Sequence, residues 1–141
     1  MKKNVGILMI LLLVSAFSYA QIKGTRQILD SAFIYFAMEN YHDALPMFKK
    51  IEAADPNNAN VNYHIGVCYL HMPSEKHNAI PYLEKVTDHV SKEYVDNPEE
   101  KNVPVRAFFE LGTAYLLNYD LAKAIESTEK YKSFLDENVE T

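Results

Sequence analysis

The residues of this chain that could do chemistry are five histidines, one cysteine and a pair of adjacent acids. The histidines are His42, His64, His71, His77 and His89. His64 and His71 are seven residues apart on one face of a predicted helix, whereas zinc ligands on a helix usually lie three or four residues apart and have further ligands nearby. Because no carboxylate shares that face at such a spacing, the sequence predicts no metal site and no cofactor.

Nucleophilic and phosphate-binding chemistry has no recognisable motif in the chain. The glycines are Gly6, Gly24, Gly66 and Gly112. Their spacing matches no nucleophile elbow, P-loop or dinucleotide-binding fingerprint. Cys68 lies within a predicted helix, where a buried thiol is unreactive, although a single cysteine in an exported protein could instead form an intermolecular disulfide. Solvation in a loop explains the adjacent acids Glu99 and Glu100. We therefore expect no catalytic residues and no enzymatic activity.

The first twenty residues have the layout of a secretory signal. Residues 1–3 read Met-Lys-Lys, residues 5–17 form an apolar run of 13, and residues 18–20 read Ser-Tyr-Ala. Small residues at the first and third of these last positions mark a cleavage point, and the apolar run is shorter than the roughly 20 residues that span a bilayer. We expect cleavage after Ala20, export to the periplasm or outer membrane, and a mature domain, residues 21–141, without a membrane span.

The charge of the mature chain bears on its partners. Removing residues 1–20 removes Lys2 and Lys3 and no acid, so the net charge changes from −5 to −7. An acidic surface repels the phosphates of nucleic acids. We therefore expect a protein or peptide partner and no nucleic acid.

A sequence repeat determines the predicted fold. A small residue is followed three positions later by tyrosine at Ala32/Tyr35, Gly66/Tyr69 and Gly112/Tyr115. Each pair is followed by an alanine and, four positions beyond the alanine, by a larger residue. These second pairs are Ala44/Phe48, Ala79/Leu83 and Ala124/Thr128. Residues three and four apart share a helical face, so each repeat predicts two amphipathic helices. Neither helix buries its apolar stripe alone, and we expect the pairs to stack around a continuous core.

The predicted helices span residues 25–39, 41–54, 59–71, 75–89, 102–117 and 121–136. Asn40 is the expected N-cap of the second helix, and residues 55–58, Asp-Pro-Asn-Asn, end it. Pro46 and Pro81 fall early in their helices, where a proline removes fewer hydrogen bonds, so we expect a slight kink at each.

The second repeat contains an insertion. Gly66 and Gly112 are 46 residues apart, twelve more than the 34 that separate Ala32 from Gly66, and most of the extra residues follow Val86. We predict an extended fourth helix followed by an acidic surface loop, and we call residues 87–101 the insertion. It is either a tolerated loop extension or a decoration of a binding face.

The repeat resembles the tetratricopeptide repeat family. The 34-residue period, the small-x-x-Tyr and Ala-x-x-x-Phe patterns and the closing Asp-Pro-Asn-Asn carry the resemblance, and the third repeat departs from it at Thr128 and Asp136. The resemblance implies an all-α fold, a right-handed solenoid of three antiparallel helix pairs with repeats at about 25–58, 59–101 and 102–136. In that family the first helices line a concave groove that receives peptides or partner helices, without catalysis.

Family register implies which residues line the groove. They are Leu29, Phe33, Phe36, Tyr63, Val67, Leu70, Phe109, Thr113 and Leu116. The rim near the helix starts would contain Arg26, Asn60 and Arg106. Because the groove set is apolar and aromatic, it favours an apolar segment or an amphipathic helix as the partner. The alternatives are that these side chains belong to the core, or that the apolar face pairs with a second copy or with further domains.

The start of the chain resembles export signals of the Bacteroidota. In those bacteria, tetratricopeptide repeats often precede a β-propeller and an OmpA-like domain in envelope proteins, some of which serve the secretion and gliding apparatus. The resemblance implies a non-catalytic scaffold of the cell envelope. The alternative is a structural module that forms oligomers.

Overall fold

A computed structural model describes residues 24–136 of the chain. The helices are α1 (24–37), α2 (Tyr41–Ala54), α3 (Ala59–Leu70), α4 (Ala79–Lys85), α5 (Ala107–Leu117) and α6 (Leu121–Asp136). This confirms the all-α class as a mostly helical chain. No helix in this range is long and apolar enough to cross a bilayer. The predicted signal peptide, residues 1–20, lies outside the described residues.

The predicted cap of the second helix is present, and the third helix has a cap of the same kind. The side chain of Asn40 accepts a hydrogen bond of 3.3 Å from the backbone N–H of Asp43 at the start of α2. The side chain of Asn58 accepts one of 3.2 Å from the N–H of Val61 in α3. Each bond satisfies an N–H that has no partner inside its helix. Local sequence therefore determines where these two helices begin.

The turns that end α1 and α5 are the same structure. Glu39 and Tyr119 both adopt left-handed backbone angles, with φ of 57° and 62°. In each turn the next residue donates its backbone N–H to the carbonyl oxygen of the repeat tyrosine, Tyr35 at 2.9 Å or Tyr115 at 3.0 Å. These are the bonds of a Schellman motif. The repeat seen in the sequence thus extends to the backbone of these turns.

Consecutive helices pack against one another from α2 to α6. The small residue of the repeat lies at a close helix approach: a Cβ added to Gly66 would come within 2.7 Å of Leu83 Cγ in α4, and one added to Gly112 within 2.8 Å of Thr128 Oγ1 in α6. Leu83 is fully buried. The small side chain is therefore what lets these helices pack closely.

The fourth helix is shorter than predicted, and the predicted extension to residue 89 is wrong. The chain leaves α4 after Lys85, makes a 3-10 turn at Thr87–His89 and forms a short strand β1 (Val90–Ser91). This strand pairs in parallel with β2 (Val103–Pro104). A residue before proline is pushed into extended backbone, so Val103 joins the strand with its side chain fully buried. The fifth helix consequently begins at Ala107 rather than at residue 102.

Candidate functional site

The nine predicted groove residues fall into three different environments. In α1 the side chains of Leu29, Phe33 and Phe36 are half-buried. In α3 the side chains of Tyr63, Val67 and Leu70 are buried. In α5 Thr113 is half-buried, and Phe109 and Leu116 are exposed. The structure therefore does not bring the nine residues together as one open surface.

The cleft between α1 and α2 is filled by α3. The ring of His64 lies 4.6 Å from the ring of Phe33, 4.5 Å from Phe36 and 5.1 Å from Phe48, measured between centroids. The His64 side chain is only 1% exposed. Offset and edge contacts of this kind are favourable for aromatic rings. Phe33 and Phe36 thus pack against the next helix of the same chain.

The cleft between α3 and α4 is filled by α5 in the same way. Val67, Leu70 and Leu83 share a buried cluster with the apolar residues of α5. Glu110 of α5 occupies the repeat position of His64, because the two residues are 46 apart, as Gly66 and Gly112 are. Glu110 is also buried, at 7% exposed. The first helix of each following repeat therefore covers the cleft of the repeat before it.

The third cleft, between α5 and α6, has no covering helix among residues 24–136. It has a volume of about 420 Å³ and is lined by Phe109, Gly112, Thr113, Leu116, Leu121, Ala124, Ile125, Thr128 and Glu129. The exposed fractions are 55% for Leu116, 61% for Leu121 and 60% for Ile125. We call this surface the α5–α6 cleft. It is the apolar surface to which the predicted groove residues Phe109, Thr113 and Leu116 belong.

Helical periodicity explains the shape of the cleft wall on α6. Leu121, Ile125 and Thr128 are spaced at i, i+4 and i+7, so they lie along one face of α6, and all three line the cleft. Thr128 donates its hydroxyl to the carbonyl oxygen of Ala124 at 2.8 Å, which leaves no unpaired hydroxyl hydrogen on that wall. We did not place Leu121 and Ile125 in the groove from the sequence, because the family register assigns the groove to first helices.

Among the residues that line the cleft, Glu129 carries a charge. The ion pairs of α6 lie beside the cleft, in a neighbouring pocket that Lys123, Glu126 and Lys130 line. Glu126 accepts from Lys130 at 2.9 Å, and this bond lowers the pKa of the Glu126 carboxyl. Lys123 lies 3.8 Å from Glu84 and 4.0 Å from Asp120. Exposed pairs of this kind contribute little stability. The cleft itself is lined mainly by uncharged side chains. An apolar ligand fits this surface better than a charged peptide terminus does.

The three predicted rim residues are all paired inside the chain. Arg26 forms an ion pair with Glu99. Asn60 donates from Nδ2 to the carbonyl oxygen of Asn97 at 3.1 Å. Arg106 donates from Nε to a carboxylate oxygen of Glu110 at 2.7 Å. Two of the three partners belong to the insertion, so the insertion lies against the helix starts where a rim was predicted.

A polar cluster fastens the insertion to α3. Nδ1 of His64 is 2.7 Å from the carbonyl oxygen of Asn60, and Nε2 is 3.5 Å from Oδ1 of Asp96. The same oxygen accepts from the hydroxyl of Tyr94 at 2.9 Å. The bond with His64, followed by that with Tyr94, holds the pKa of Asp96 below its usual value. The sequence placed Asp96 in a loop but carried no signal for this contact.

The other candidate groups lie apart from one another. The ring of His71 stacks on that of Tyr41 at 4.2 Å, and Tyr41 in turn makes an edge contact with Phe36 at 5.4 Å. Cys68 is fully buried, and burial raises the pKa of its thiol to about 12. Within residues 24–136, no three His, Cys, Asp or Glu side chains lie where they could hold a metal ion.

No protein-family model matches the chain, and no curated protein matches it significantly. The tetratricopeptide resemblance therefore stays a prediction from the residues. The function has to be inferred from the geometry of the clefts.

Proposed function

We propose that this protein is a non-catalytic interaction scaffold of the bacterial cell envelope. It would bind an apolar segment or amphipathic helix of a polypeptide. In this proposal the six helices form a right-handed tetratricopeptide-type solenoid of three antiparallel helix pairs. The identical turns at Glu39 and Tyr119 support that arrangement, as does the way α3 and α5 occupy successive clefts.

The observation that carries the proposal is the open α5–α6 cleft. Two equivalent clefts in this chain are each covered by a helix, and the third is apolar and exposed. Burying the remaining exposed part of Leu116, Leu121 or Ile125 would contribute about 2 kcal/mol for each side chain. A helix is the fitting ligand because helices fill the other two clefts.

The proposal narrows the set of binding residues. Phe109, Thr113 and Leu116 remain from the predicted groove, and Leu121 and Ile125 join them. The predicted groove residues of α1 and α3 would act instead in packing between repeats. The rim residues Arg26, Asn60 and Arg106 would orient the insertion and α5 rather than a ligand.

The location in the envelope is supported by the first twenty residues alone. Their basic start, apolar run and small residues before Gln21 favour export and cleavage. The resemblance to Bacteroidota signals favours the periplasm or outer membrane, and membership of a larger OmpA-like or secretion-associated assembly. An exported scaffold without a membrane span would meet its partners there.

Site-specific photo-cross-linking in cells tests the proposal. A photoreactive residue at Leu116 should form a covalent adduct with a polypeptide, and adding Ile125→Glu should abolish the adduct because a carboxylate would be buried in an apolar cleft. Val95→Glu is the matched control, since Val95 is as exposed, at 59%, but lies in the insertion. Undiminished adducts in a folded Ile125→Glu variant would count against the cleft as a binding surface.

A further inference from the structure

One wall of the α5–α6 cleft repeats the pattern that fills the other two clefts. The residues of α3 that pack into the cleft between α1 and α2 are Val61, Ile65 and Cys68, and they are spaced at i, i+4 and i+7. The corresponding residues of α5 are Ala107, Leu111 and Ala114. Helix α6 carries Leu121, Ile125 and Thr128 at the same spacing. Those three side chains are exposed, so α6 presents outward the stripe that α3 and α5 bury.

Cleft and stripe lie on the same surface of the molecule. Leu121 and Ile125 form the α6 wall of the cleft, and Phe109 and Leu116 form the α5 wall. When complementary features share one surface, a two-fold axis lets each copy insert its stripe into the cleft of the other. Both stripes and both clefts are then covered by a single closed interface.

The charge of α6 permits such pairing even though the chain as a whole is acidic. The basic residues of α6 are Lys123, Lys130 and Lys132, and its acidic residues are Glu126, Glu129 and Asp136. Their charges cancel, so two copies meeting through α6 do not bring the excess acidic charge of the chain, −5 in full and −7 after the predicted cleavage, into direct contact. Like charges facing each other across an interface would oppose association.

The exposed apolar area supplies the centre of a dimer interface. Phe109, Leu116, Leu121 and Ile125 are each exposed by 42% to 61%, which leaves about 400 Å² of apolar surface, as large as the biggest patch on a typical soluble monomer. The less exposed cleft residues and the polar rim around them extend this face toward the roughly 800 Å² that each partner buries in a standard interface.

We infer that the α5–α6 cleft is occupied by helix α6 of a second copy of this chain, related by a two-fold axis that passes near Ile125. The inference rests on the proposed function, because it names the occupant of the same cleft. The two α6 helices run antiparallel across the axis, and each lies in the cleft of the other copy.

Sedimentation of the purified protein over a range of concentrations tests the inference. We expect a dimer whose dissociation constant rises at least tenfold with Ile125→Glu and is unchanged by Val95→Glu. Helical circular dichroism of each variant establishes that it is folded. A protein that stays monomeric at high concentration, or a dimer that Ile125→Glu does not weaken, overturns the inference.

A cross-link gives a second measurement that does not depend on affinity. Because Ile125 lies near the proposed axis, the Ile125→Cys variant should form a disulfide-linked dimer under mild oxidation, whereas Val95→Cys should not. Equal cross-linking of both variants would contradict the two-fold arrangement. A monomeric protein whose Leu116 photo-adduct contains a different polypeptide would overturn only the second-copy inference. Adducts that Ile125→Glu leaves unchanged would overturn the proposed function as well.

Discussion

Nε2 of His64 lies 3.5 Å from Oδ1 of Asp96, and this contact joins α3, which ends at Leu70, to the insertion, which begins at residue 87. His64 is buried, whereas the Asp96 side chain is 64% exposed. The aromatic rings of Phe33, Phe36 and Phe48 hold the imidazole from the other side. Asp96 is therefore the solvent-accessible member of a contact whose other member is buried among aromatic rings.

This contact predicts a dependence of stability on pH. The pKa of Asp96 is lowered in the folded state from an ordinary value of 3.8. The ionised carboxylate therefore contributes stability that is fully present above that value and is lost as the pH falls through the lowered folded value. Asp96→Asn should reduce the free energy of unfolding by about 0.5 kcal/mol at pH 6, and the difference from the parent should shrink in more acidic buffer. Urea unfolding of the parent and the variant, at pH 6 and in the more acidic buffer, measures this difference in the free energy of unfolding.

The exposed Asp88 in the same insertion is the control for that series. Asp88→Asn should change the free energy of unfolding less than Asp96→Asn does at pH 6. Equal effects of the two substitutions would show that general surface charge, rather than the contact with His64, produces the pH dependence.

Adding a methyl group at Gly66 should destabilise the protein. Replacing glycine by alanine within a helix normally gains up to about 1 kcal/mol, but a Cβ at Gly66 would lie 2.7 Å from the Cγ of Leu83, which is fully buried. We expect Gly66→Ala to cost about 1–3 kcal/mol, the range for overpacked cores. Gly112→Ala should cost less, because the exposed Thr128 can move aside. Thermal unfolding ranks the two, and the reverse order would contradict the close approach of α3 and α4.

Glycine should stabilise the left-handed turns. Glu39 and Tyr119 have φ of 57° and 62°, a conformation that costs other L-residues about 1–2 kcal/mol. Glycine adopts it freely but loses more entropy on folding, so we expect Glu39→Gly and Tyr119→Gly each to gain about 0.5 kcal/mol. The control Ala37→Gly, at a helical position of α1, should instead lose about 1 kcal/mol. Urea unfolding compares the three, and a loss at Tyr119 would mean that its side chain contributes contacts.

The thiol of Cys68 should be inert in the folded protein. Its side chain is fully buried and burial raises the pKa to about 12, so almost no thiolate exists at pH 8. Iodoacetamide at pH 8 should leave the native protein unmodified over a time in which the urea-unfolded chain reacts completely. Mass spectrometry follows the modification. Rapid labelling without urea would show that α3 opens readily, and would revive the intermolecular disulfide.

Prediction from sequence succeeded where the determinants are close together in the chain. The cap at Asn40 depends on a residue three positions away, and the Schellman turns depend on bonds across five residues. It failed at the fourth helix, where a periodic pattern continued to residue 89 but a strand pairing with Val103 competed with it. The competing partner lies thirteen residues away from Val90, and no local pattern reports it.

The amino-acid sequence by itself determined the repeat, most helix boundaries and the set of apolar positions, because helical periodicity and capping act within one or two turns. Only the tertiary structure decided which apolar positions are covered. Phe33, Val67 and Thr113 are equivalent in the repeat, yet α3 covers the first, α5 covers the second and no described helix covers the third. Burial depends on which helix arrives from elsewhere in the chain, and that information lies in long-range packing rather than in the residue itself.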